Sequence, residues 1–177
     1  SRDPAVKQML ADFIDVENRR KYLKLFPVRE GTTPLKFMPE YEDWLVNAMK
    51  EGGNTDFWKQ NNVRDYTKNY KDIPVYLVGG WYDSWGVNTT ENYMALSKTI
   101  KGPVYMIMGP WIHGQQGNYS HGQVSFGNGA AIADPLAWRM EWYDHWIKGE
   151  KTDVGKKDPY KTNVRIFVMG TGDGHMT

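Results

Sequence analysis

Ile73-Pro74-Val75-Tyr76-Leu77-Val78-Gly79-Gly80 is a run of apolar and β-forming residues closed by two glycines. Its hydrophobicity is continuous rather than alternating, which is the pattern of a strand buried on both faces in a parallel sheet. Val104-Tyr105-Met106-Ile107-Met108, closed by Gly109-Pro110, repeats it. Between the two runs, Asn88 is placed to cap a helix with Glu91 as its capping-box partner. Tyr93, Met94, Leu96 and Ile100 follow, and Gly102 stops the helix. Strand, helix and strand at this spacing predict a βαβ unit and an α/β fold.

Downstream, Asp134-Pro135 offers a cap and a proline at the first helical position. Leu136, Met140, Tyr143 and Ile147 form the predicted buried stripe of that helix, and Lys148-Gly149 ends it. Residues 151–161 carry four lysines, two aspartates and a proline, and read as an inter-domain linker. Val164-Arg165-Ile166-Phe167-Val168-Met169 then reads as a new strand, expected to have no partner in this chain. Upstream, residues 1–70 read as helical. Tyr41, Trp44, Leu45, Ala48 and Met49 make one apolar face after Pro39, ended by Gly52-Gly53. Met9, Leu10, Phe13 and Ile14 make a shorter stripe, and Phe26-Pro27 and Thr33-Pro34 break the chain between the two. Small amphipathic helices of this kind suit a lid.

Composition narrows the function classes. Of 177 residues, 40% are hydrophobic and 14% aromatic, enough for a folded core. With 22 basic and 21 acidic residues mixed along the chain, there is no basic stripe for a phosphate backbone, so nucleic-acid binding is not expected. The apolar runs are too short for the roughly 20 residues of a membrane-spanning helix, and no membrane partner is expected. The lack of cysteine excludes disulfides, zinc–thiolate sites and cysteine nucleophiles. The compartment is left open. The opening Ser1-Arg2-Asp3-Pro4 and the close on Gly170 to Thr177, straight after a strand, read as the ends of a fragment.

In parallel sheets of α/β proteins, functional groups gather beyond the carboxyl ends of the strands. Asp83 follows the first strand through Gly79-Gly80-Trp81-Tyr82, and His113 follows the second through Gly109-Pro110-Trp111-Ile112. A carboxylate that accepts the imidazole Nδ1 proton fixes the tautomer and leaves Nε2 as a general base. Taken singly, each residue is more often a cap or a turn former. Their matching positions after consecutive strands favour chemistry, and acid followed by base is the α/β-hydrolase order.

The segment Ile73 to Asp83 resembles the acid-bearing segment of the superfamily of X-Pro dipeptidyl-peptidases, cocaine esterases and α-amino-acid ester hydrolases. Gly109-Pro110-Trp111-Ile112-His113-Gly114 is similar to its base-bearing segment. Trp142-Tyr143-Asp144-His145-Trp146-Ile147-Lys148-Gly149 resembles its final hydrolase-domain helix, and Val164 to Gly170 the opening strand of the β-sandwich that follows. The resemblance implies the C-terminal part of an α/β-hydrolase, a parallel sheet flanked by helices. It places a helical cap at 1–70, the hydrolase part at 71–150, a linker at 151–161 and the start of a β-sandwich at 162–177.

It further implies an acyl esterase, amino-acid ester hydrolase or dipeptidyl-peptidase type of serine hydrolase. Asp83 would orient His113, and the serine would lie upstream in a Gly-x-Ser-x-Gly elbow. Ser1, Ser84, Ser97, Ser120 and Ser125 stand in no such elbow, so the chain alone is expected to be inactive. The expected partners are a small acyl ester, an amide or a short peptide, with no cofactor.

Trp81, Tyr82, Trp85 and Trp111 flank the pair. One or two of them are expected to line a substrate pocket, against an equal expectation that they pack the sheet edge. His121, His145 and His175 match no metal motif. The rival reading is a non-catalytic relative that binds a ligand or partner through its aromatic lid. With part of its sheet missing, the chain is expected to expose strand edges and to associate with copies of itself as a homo-oligomer or aggregate.

Overall fold

Prolines open three of the helices in the computed structural model, which describes residues 3–22, 24–152 and 163–170 apart from the side chain of Phe13. The chain divides into two units, residues 1–62 and 63–177.

The first unit is helical: α1 (Pro4–Ile14), α2 (Val16–Tyr22), a 3-10 turn at Pro34–Phe37, α3 (Pro39–Lys50) and the single turn α4 (Asp56–Lys59). Asp3 caps α1, its side chain accepting the Ala5 N–H at 2.8 Å, and Pro4 occupies the first turn, where no intrahelical donor is needed. Of the α1 stripe, Met9 is buried while Leu10 and Ile14 are exposed; the Phe13 side chain lies outside the described residues.

Helix α3 departs from its predicted face. Tyr41, Trp44 and Met49 are exposed, and Glu42 and Val46 are buried instead. The cause is polar. Glu42 Oε2 accepts the Gly31 N–H at 3.0 Å, and Oε1 accepts the Thr33 hydroxyl at 2.6 Å. That hydroxyl in turn accepts the Leu35 N–H at 3.1 Å and so caps the 3-10 turn. A carboxylate tied to both Gly31 and Thr33 of the preceding loop turns its own side of α3 inward, whatever the apolar periodicity prefers.

These bonds favour the charged carboxylate and hold the Glu42 carboxyl below the usual glutamate range. The Thr33 hydroxyl has the largest effect, then the Gly31 N–H, and burial opposes both. A pKa lower in the folded than in the unfolded chain means stability that is present above the unfolded value, about 4.3. It is lost as pH falls through the folded one. The urea midpoint of the chain should therefore drop on acidification below that range, and Glu42→Gln should remove this part of the drop.

The second unit holds the sheet. A 3-10 turn at Val63–Asn69 leads to β1 (Val75–Gly80), α5 (Gly86–Thr99) and β2 (Val104–Gly109). The hairpin β3 (Ser120–His121) and β4 (Val124–Ser125), a 3-10 turn at Asn128–Ala130, α6 (Pro135–Trp146) and β5 (Val164–Ile166) follow. The βαβ unit is as predicted. β1 and β2 run parallel from Val75↔Val104 to Gly80↔Gly109. Leu96 of α5 and Ile100, which follows the helix, pack with Val104 against Val75 and Leu77. β2 is central and nearly all buried. β1 is only half-buried over its first four residues, because no strand pairs with its outer edge among the described residues.

Three expectations are corrected. Helix α5 begins at Gly86, not at Asn88, because it grows directly out of the turn carrying Asp83: the Gly86 N–H bonds to Asp83 O and the Thr89 N–H to Trp85 O. Glu91 then pairs with Arg64 at 2.7 Å rather than closing a capping box. Helix α6 is capped by Asp134 as predicted, with N–H bonds from Leu136 and Ala137, but it turns a different face inward. Leu136, Met140, Tyr143 and Ile147 are all exposed. Trp138 and Trp142, one helical turn apart, stack instead on Tyr76 of β1, with ring centroids at 4.9 and 5.1 Å. Both indoles lie on the half-buried side of the helix, and their contacts with Tyr76 set the rotation.

The third correction concerns the late strand. Expected to lack a partner, β5 pairs parallel with β2 on the side away from β1, Met106↔Val164 through Met108↔Ile166, giving the order β1-β2-β5. β2 needed a neighbour there, and the Val-x-Ile pattern supplies one. Most of the linker predicted at 151–161 lies outside the described residues. No helix among the described residues is long and apolar enough to cross a membrane.

Candidate active site

The paired ends of β1 and β2 are laced together beyond the sheet. Trp81 donates its N–H to Gly109 O at 2.9 Å, Tyr82 to Trp111 O at 3.1 Å, and Asp83 to Gly80 O at 3.1 Å. The acid loop is thus hung on the base loop by backbone bonds that no surface side chain can disturb. This approach requires glycine at 80. A methyl group there would fall far inside contact distance of the Trp111 carbonyl oxygen, and one at Gly109 would strike the Trp111 ring.

The lacing brings Asp83 and His113 together. His113 Nδ1 lies 3.0 Å from Asp83 Oδ2, and the other carboxylate oxygen, Oδ1, accepts the Trp85 N–H at 2.9 Å. A carboxylate can only accept, so Nδ1 carries the proton and the Nε2 lone pair is left for another donor. The Asp83 side chain is 11% exposed and that of His113 72%. The carboxylate is sheltered where it holds the imidazole, and the imidazole is largely open. The indole of Trp85 stands edge-on to the imidazole at 4.7 Å between centroids, so one residue touches both members through its backbone and its ring.

The aromatic neighbours divide. Trp81, Tyr82 and Trp85 are each about half exposed. Trp111 is wholly buried, its indole N–H donated to Ala130 O at 2.8 Å. It has no exposed face. Its work is to fill the space over Gly109 and carry the loop on which His113 sits. His121 packs against Tyr82 and Phe126, and His145 Nδ1 meets Glu150 O at 3.2 Å. His175 lies outside the described residues. No group of acidic, cysteine or histidine side chains suited to a metal occurs among the described residues.

Sequence reading missed the supports of this site, namely Ala130, Phe126 and Phe167. All are joined to it over long sequence separations that no local pattern announces. The bond from Trp81 Nε1 to Phe167 O, 2.7 Å long, spans 86 positions.

A parallel sheet flanked by helices, with a carboxylate–imidazole pair beyond adjacent strand ends, defines an α/β protein of hydrolase type. The family model described as X-Pro dipeptidyl-peptidase (S15 family) matches residues 5–115, more than half of the chain and both members of the pair. The chain belongs to this family. No curated protein matches it.

Proposed function

We propose that this chain supplies the acid, Asp83, and the base, His113, of a serine-hydrolase triad that cleaves acyl esters or amides. The observation that carries the reading is the 3.0 Å bond from His113 Nδ1 to a sheltered Asp83 carboxylate, with Nε2 left open. The serine is supplied from outside these 177 residues, since none of the five serines here stands in an elbow.

In the first half-reaction, Nε2 takes the serine hydroxyl proton as Oγ bonds to the acyl carbon. The Asp83 carboxylate stabilises the imidazolium that forms. Nε2 then gives that proton to the departing alkoxide or amine as the acyl–heteroatom bond breaks, leaving an acyl-enzyme. Water repeats the sequence to release the acid. Substrates of this class include acyl esters, amino-acid esters, side-chain amides and proline-containing peptides. Trp85 and Tyr82, exposed beside the pair, line the approach.

Intact-mass analysis after treatment with a fluorophosphonate tests the reading on this chain and on the full-length gene product in parallel. One adduct on the full-length protein, lost in His113→Ala, and none on this chain is the expected result. An adduct on the chain itself would relocate the nucleophile. None on either would leave a binding protein with a decorative pair.

A further inference from the structure

The strand that arrives last in the sequence is tied to the acid and base loops at three points. Phe167, which directly follows β5, donates its N–H to Met108 O at 2.7 Å, next to the end of β2. Its carbonyl oxygen accepts the indole N–H of Trp81, two residues before Asp83, at 2.7 Å. Its ring, almost fully buried, meets Phe126 edge-on at 5.7 Å. Phe126 in turn lies 5.9 Å from Tyr82, the neighbour of Asp83. One residue therefore grips the base strand, the acid loop and the loop that follows His113.

We propose that Trp81 and Phe167 are positioning residues: their hydrogen bond holds the acid loop at the height where Asp83 reaches His113 Nδ1. The inference rests on the acid–base reading of that pair. It follows from the reach of the bonds. The lacing to Gly80, Gly109 and Trp111 is made by the backbone, close to β1 and β2. The indole of Trp81 reaches further the same way, past β2 to the residue that follows the third strand, and this second, more distant anchor opposes rotation of the loop about that lacing. An indole N–H that points inward from a half-exposed ring is committed to the fold rather than to a ligand, so Trp81 is better described by this bond than as part of a pocket wall.

The test reads the tautomer of His113 in this same chain. Two-bond proton–nitrogen correlation spectra of imidazole-labelled protein, taken at a pH where the ring is neutral, report the ratio of Nδ1–H to Nε2–H forms. The native chain should show mainly Nδ1–H. Trp81→Phe keeps a large ring but deletes the donor, and should lower the ratio roughly two- to tenfold, the range expected for one net hydrogen bond. Phe167→Leu retains the backbone carbonyl and an apolar side chain, and should lower it in the same direction by releasing Phe126. A purely structural role would depress the melting temperature and leave the tautomer ratio at its native value in both variants, and that result overturns the proposal. Asp83→Asn separates the two levels. If it leaves the ratio unchanged, the acid–base reading fails; if it abolishes the Nδ1–H preference while Trp81→Phe does not shift it, only the positioning role fails.

Discussion

His113→Ala in the full-length gene product should lower kcat on a chromogenic acyl ester by about 10⁴ to 10⁶-fold, with KM little changed. In the proposed mechanism Nε2 of His113 is the group that takes the serine proton. The neighbours of His113 are an indole edge and a carboxylate already occupied by two donors. Asp83→Asn should cost about 10⁴-fold by a different route. The amide presents an N–H toward the imidazole, the preferred tautomer reverses, and Nε2 becomes protonated and unable to act as base. Because both substitutions remove one unit of function, the double variant should be scarcely slower than His113→Ala alone. Steady-state kinetics on the three variants settle the matter. A change confined to KM would show that the pair binds rather than reacts.

Gly80→Ala should have the largest effect on the fold. Its methyl group would collide with the carbonyl of Trp111, the same oxygen that accepts the Tyr82 N–H. Neither partner can yield by turning a side chain, since both are backbone. The strand end must shift, and Trp111, buried and bonded to Ala130, resists it. Overpacking of this kind costs about 1–3 kcal/mol and sometimes more, and a backbone clash belongs at or above the upper end. Thermal unfolding should show a melting temperature lower by several degrees, with the tautomer preference of His113 lost. A native-like midpoint would mean that the two loops are not held as tightly as the lacing implies.

Local chemistry made some of this readable in the sequence. Two apolar runs closed by glycine gave β1 and β2, and Asp134-Pro135 gave the start of α6, because each signal lies within a few consecutive residues. The matching loops put Asp83 and His113 on one edge, since register follows from strands of equal length. Legibility ended where tertiary partners decide. The face of α3 is set by Glu42 reaching back to Thr33, and that of α6 by two indoles finding Tyr76. Periodicity counts apolar residues and is blind to both. The start of α5 was displaced by the turn that holds Asp83, a local feature read there for its chemistry and not for its backbone. β5 was recognised as a strand and denied its neighbour, because pairing with β2 reaches across more than fifty positions.

That late pairing has a consequence during synthesis. A growing chain presents Asp83 first, then His113, and only later Phe167. At about 5–20 residues per second, the ribosome takes several seconds to pass from the second to the third. Through that interval β1 and β2 can already zip, but the edge of β2 stays bare and the indole of Trp81 has no acceptor from Phe167. The Asp83–His113 pair is therefore among the last features of the unit to settle, and a nascent chain halted before Phe167 would carry both residues without their final bearing on one another.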